Sequence, residues 1–158
     1  MKKKIYLFIV ILIISLIGIS FLKKESFTYT PTTGMHEQYN KKIAKLEKKQ
    51  KSKLVSDLLI FAKVDLFTKR NVKVTQPQVN ALIDVLYDRS RDTMEYYLKN
   101  NNKMTDKQRE QYIFLLLKMR TVETRLIDLN IKNPEKEMLI MLHYDMRDLL
   151  DALDSLEE

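Results

Sequence analysis

The sequence predicts an all-α protein, a membrane-spanning helix followed by an antiparallel up-down four-helix bundle, and three observations carry that expectation. Only two glycines and three prolines occur in 158 residues, so little after residue 34 interrupts a helix. Three helix-start signals recur at even intervals along the second half of the chain. An uncharged run from Ile5 to Leu22 stands near the N-terminus.

That run follows Lys2, Lys3 and Lys4 and is closed by Lys23 and Lys24. Its 18 residues, at ~1.5 Å each, reach about 27 Å, the short end of what spans a hydrocarbon core. A retained anchor and a cleaved signal peptide both fit residues 1–24. For cleavage, Gly18 and Ser20 stand at −3 and −1 before Phe21. Against it, no Ala-x-Ala triplet occurs and the apolar run continues through Phe21 and Leu22, so the anchor is favoured. Lysines flank both ends, and the three before the run point to an N-terminus inside and a domain outside the cytoplasm.

Residues 25–34, ESFTYTPTTG, read as an extended linker because of their threonines, Pro31 and Gly34. A helical domain is expected over 35–158, with a basic lead-in at 41–53. Helix A is placed at 35–68, with the apolar residues 54–67 its best-buried part. Thr75-x-x-Gln78 is a capping box with Pro77 in the first turn, and it starts helix B, 76–99. Thr105-x-x-Gln108 repeats the box and starts helix C, 106–129. Asn133-Pro134-Glu135 starts helix D, 134–156, with proline at the first helical position. Val72-Lys73-Val74 alternates like a strand but has no evident partner, so it reads as connection.

Within each helix the apolar residues step by three and four, which marks one buried face. Helix B offers Val79, Leu82, Leu86, Thr93 and Tyr97. Helix C offers Tyr112, Leu116, Met119, Val122, Leu126 and Leu129, and helix D offers Met138, Leu142, Met146, Leu149, Leu153 and Leu156. Three helices of nearly equal length joined by short loops are what an antiparallel bundle needs.

The net charge of +7 does not describe a nucleic-acid binder, which concentrates lysine and arginine on its folded domain. Residues 1–24 carry +5, 25–40 carry −2 and 41–53 carry +6, whereas the remaining chain has 16 basic and 18 acidic side chains. Stacking aromatics are also missing between the lysines of 41–53. With no cysteine, zinc-thiolate sites, disulfides, thiol catalysis and a lipid-modified cysteine are all excluded. Two glycines cannot build a glycine-rich phosphate cradle.

Little else carries chemistry. His36 and His143 lie too far apart in sequence to suggest a shared site, and the residue three before His143 is Ile140, not the glutamate of a di-iron bundle. His143 is expected to be a partly buried helix residue. Tyr96, Tyr97, Tyr112 and Tyr144, with Met138, Met141 and Met146, read as packing residues before they read as a pocket. No metal, cofactor or catalytic set is expected.

The candidate interaction residues are therefore charged surfaces. Lys41, Lys42, Lys45, Lys48 and Lys49 form a basic set that suits anionic headgroups or an acidic segment. Asp84, Asp88 and Asp92 form an acidic row on helix B, in part neutralised by Arg91. Asp148, Asp151 and Asp154 belong to an acidic series on helix D. In an up-down bundle the start of A lies beside the end of D, so the lysines should meet these acids. Ile43 and Leu46 would face Leu149, Leu153 and Leu156 between the charges. The function expected is that of a membrane-tethered, non-catalytic protein-interaction module outside the cytoplasm, an assembly factor, inhibitor or immunity-type protein. It would be held to the membrane by residues 5–22 and would act on a protein partner or on another copy of itself. The alternative is a secreted helical protein or ligand-binding bundle, released by cleavage.

Overall fold

A computed structural model describes residues 26–30, 32–48 and 72–156. In chain order they form strand β1 (Ser26–Tyr29), helix α1 (Thr33–Lys48), strand β2 (Val72–Thr75) and helix α2 (Gln76–Asn100). A single 3-10 turn (Asn101–Lys103), helix α3 (Asp106–Asp128) and helix α4 (Lys136–Asp154) complete them. The chain is thus mainly helical, as its composition implies. Among the described residues no helix is long and apolar enough to cross a membrane. The apolar run 5–22 lies outside the described residues, as do Lys49 and the part of helix A beyond Lys48.

The two strands amend the all-α expectation. β1 pairs antiparallel with β2, Ser26 opposite Thr75 and Tyr29 opposite Val72. Both segments alternate aromatic or β-branched residues, and each supplies the partner that the other lacks. A two-stranded ladder is marginal alone. This one is tied to the helices through Val74, fully buried, and Phe27, packed against the same core. The expected linker 25–34 is therefore mostly structured, and α1 begins at Thr33, two residues early.

Local capping fixes the other starts. Thr75 ends β2 and caps α2, with its N–H donating to Gln78 Oε1 at 2.9 Å. At α3 the exchange is reciprocal: Gln108 N–H donates to Thr105 Oγ1 at 3.2 Å, and Thr105 N–H to Gln108 Oε1 at 2.9 Å. Arg109 then closes the corner, donating to the carbonyls of Asn101 (3.0 Å) and Met104 (2.6 Å) while it pairs with Asp106. Helix α4 starts at Lys136, later than Pro134 suggests, because Asn130 Oδ1 accepts from the N–H of Lys132 at 3.0 Å and holds the preceding turn. Ile131, buried, pins that turn to the core.

Directions follow from the cross-helix bonds. Gln111, Lys118 and Arg125 of α3 bond Ser155, Asp148 and Asp145 in descending order, so α3 and α4 are antiparallel. Helices α2 and α3 pack together across the five residues 101–105, which also forces them antiparallel. Against α4, however, α1 runs parallel: Tyr39 meets His143, Lys42 meets Asp151 and Lys45 meets Asp154. Among the described residues, α2, α3 and α4 thus alternate in direction, and α1 lies parallel to α4. The physical reason is connection length. Five residues between helices oblige the chain to reverse, whereas the 23 residues 49–71 could span at most about 76–83 Å, far more than the ~24 Å of α1.

Candidate functional site

The charged residues singled out by sequence converge on α4. Its acids Asp145, Asp148, Asp151 and Asp154 recur every three residues. Each step of three turns the helix through about 300°, so from Asp145 to Asp154 the series winds half-way round the axis. The partners follow that drift. Asp145 takes Arg125 of α3, and Asp148 takes Lys118 of α3 at 2.9 Å. Asp151 takes Lys42 of α1, and Asp154 takes Lys45 of α1. One acidic ladder therefore serves two seams on opposite sides of the same helix. Asp148, grouped by sequence with the α1 contacts, belongs to the α3 seam.

Beneath the two α1 pairs lies an apolar strip. Tyr39, Ile43 and Leu46 are buried in α1, at the four- and three-residue spacing of one helix face, and Met146, Leu149, Leu150 and Leu153 are buried in α4. Charge at the rim and apolar side chains beneath it are what the sequence leads one to expect of this seam, although the helices run parallel. The lysines differ in role. Lys42 and Lys45 are engaged, whereas Lys41 and Lys48 are exposed.

The α2 acids stand apart from this seam. Asp84, Asp88 and Asp92 are exposed on the outer face, where Arg91 approaches Asp88 at 3.4 Å and Asp92 at 3.6 Å, and Arg89 approaches Asp92 at 3.4 Å. Glu95 is held below the usual carboxylate range by its bond to Lys99, one turn on. Among the described residues, no group of three His, Cys, Asp or Glu could hold a metal ion.

Two features escaped the sequence. His143 is 1% exposed rather than partly buried, and His36, remote in sequence, is close enough to act on its charge. Burial, then Arg147 and His36, push its imidazole below the ordinary value of 6.5, opposed by a hydrogen bond to the Met35 backbone. Its position was legible, since it lies four residues after Leu139 and three before Met146 on the buried face. The second feature is an apolar stripe on the outside of α3. Ile113 (52% exposed), Leu117 (59%) and Ile127 (59%) share it with Thr121, whose hydroxyl donates to the Leu117 carbonyl at 2.9 Å. The signal was the run Leu115-Leu116-Leu117, because three consecutive helix residues cannot share one narrow face.

Compared with known proteins, the chain matches no family model, no curated protein and no solved structure. The reading of its function rests on its own residues.

Proposed function

We propose that this chain is a membrane-tethered module, held outside the cytoplasm, that acts by protein contact without catalysis. The observation that carries the contact reading is the outer stripe of α3, where Ile113, Leu117 and Ile127 face solvent on one side of a helix whose other side is already packed. Large apolar side chains aligned on an exposed face favour association. The tether reading rests on the uncharged residues 5–22 with lysines at both ends. The engagement of Lys42 and Lys45 by carboxylates of the same chain supports a partner other than nucleic acid.

The experiment is site-specific photocrosslinking in intact cells, with a photoreactive residue at Leu117 and a control at Asp88. A discrete adduct from Leu117 alone, lost in an Ile113→Glu background, supports contact through α3. Adducts from neither position, or equally from both, reject it. Resistance of the same chain to an alkaline carbonate wash supports the tether. Recovery wholly in the medium with Phe21 at its N-terminus would replace the tether with the secreted form.

A further inference from the structure

A second apolar stripe lies on α2, apart from the one on α3. Ile83, Tyr87, Met94 and Leu98 recur at steps of four, seven and four, which keeps them within about 60° of one another around the helix. Ile83 packs against the edge of the core, while Tyr87 (57%), Met94 (44%) and Leu98 (63%) are exposed among the described residues. The side of α2 that meets α3 is a different one, marked by Tyr96, whose ring lies 5.5 Å from that of Tyr112. Asp84, Asp88 and Glu95 border the stripe.

Residues 49–71 join two ends of the domain that lie far apart. Lys45, near the end of α1, pairs with Asp154, and the next residue, Ser155, accepts from Gln111 of α3, the neighbour of Tyr112. Through Tyr96 the end of α1 is therefore level with the last turns of α2. Strand β2 returns the chain at the first turn of α2, about 30 Å away along the helix axis.

We propose that residues 54–67 pack along the outer stripe of α2, antiparallel to it. Direction supports this occupant, because the connection enters level with the end of α2 and leaves at its start. Length agrees: as the helix that the sequence predicts, residues 54–67 rise about 21 Å, against about 22 Å from Ile83 to Leu98. Charge agrees as well, since residues 49–71 carry six lysines and arginines against two aspartates, and the stripe they meet is bordered by acids. The sequence LVSDLLIFAKVDLF is apolar on most sides, so its contact with Tyr87, Met94 and Leu98 removes both surfaces from water. Covering α2 leaves Ile113, Leu117 and Ile127 of α3 as the open stripe, and contact of a partner through α3 is independent of this packing.

The test uses the full chain in mild detergent, with a benzophenone amino acid in place of Met94 or of Tyr87 and the crosslinked peptides identified by mass spectrometry. Antiparallel packing predicts that the Met94 probe joins residues 54–60 and the Tyr87 probe residues 61–67 of the same molecule. Exchanged targets, adducts to a second copy, or no adduct within 54–67 overturn the proposal. A probe at Leu117 of α3 should join none of these residues, and its capture of 54–67 would overturn both this packing and the contact reading of α3. Met94→Glu adds a second readout, because a charge at a solvent-facing position leaves residues 54–67 unaffected. Under the proposal, amide exchange of 54–67 rises about tenfold or more in that variant while exchange in α3 stays unchanged. Unchanged exchange in 54–67 overturns the packing. Should Met94→Glu fail to fold, the Met94 and Tyr87 probes decide alone, since benzophenone keeps both positions apolar.

Discussion

Truncating Leu46 should loosen α1 far more than removing the ion pair beside it. Leu46 is 1% exposed and lies on the strip that faces α4, so Leu46→Ala removes buried methyl groups and leaves a cavity. Substitutions of this kind cost about 2–5 kcal/mol. Lys45 is 60% exposed and its partner Asp154 is 19% exposed, so the pair is a rim contact worth about 0–1 kcal/mol and screened by salt. Lys45→Ala should therefore cost at least ~1 kcal/mol less than Leu46→Ala. Urea unfolding measures the totals, and amide hydrogen exchange of residues 35–46 localises the loss. Exchange in α1 should rise strongly in Leu46→Ala and slightly in Lys45→Ala, the latter difference shrinking in high salt. The reverse order would refute the argument that apolar contact holds the seam and charge only selects it.

Three further outcomes follow from the same geometry. Thr105→Ala removes the reciprocal cap of α3 and should cost about 0.5–2 kcal/mol in urea unfolding, because Gln108 N–H loses its acceptor. Asp145→Ala leaves Arg125, 30% exposed, without its carboxylate, and should cost about 1–3 kcal/mol, whereas Asp88→Ala, on the outer face of α2, should stay within about 0.5 kcal/mol. The His143 imidazole titrates below its unfolded value, so its contribution to stability is present above pH 6.5 and declines as pH falls toward the depressed folded value. Wild type should lose more stability than His143→Phe between about pH 7 and pH 5, and equal losses in chemical unfolding would exclude the histidine as the cause.

What the sequence disclosed depended on how local the cause was. The starts of α2 and α3 are written in four consecutive residues each, Thr75 to Gln78 and Thr105 to Gln108, and both were legible. The strands were not, because Phe27 and Val74 meet only after the intervening chain has turned back, and neither four-residue segment specifies its partner. The meeting of Lys45 with Asp154 was legible through charge and apolar spacing. Their direction was not, since complementary stripes can pair in either sense and residues 49–71 are long enough to allow both. In the candidate site, the burial of His143 and the outer stripe of α3 were visible as departures from a single narrow face. They passed as ordinary helix residues because periodicity names the buried side without counting how many neighbours share it.

The parallel seating of α1 on α4 is the central structural claim, and a pair of cysteine crosslinks tests it most directly. In one variant the cysteines replace Lys45 and Asp154, and in the other they replace Gln38 and Arg147, each seven residues earlier on its own helix. A short bifunctional crosslinker in the folded chain should join both pairs within one molecule, because parallel helices keep the second pair level with the first. Joining of Lys45 with Asp154 alone would mean that α1 runs antiparallel to α4, which sets Gln38 and Arg147 about 20 Å apart along the axis, and would contradict the account.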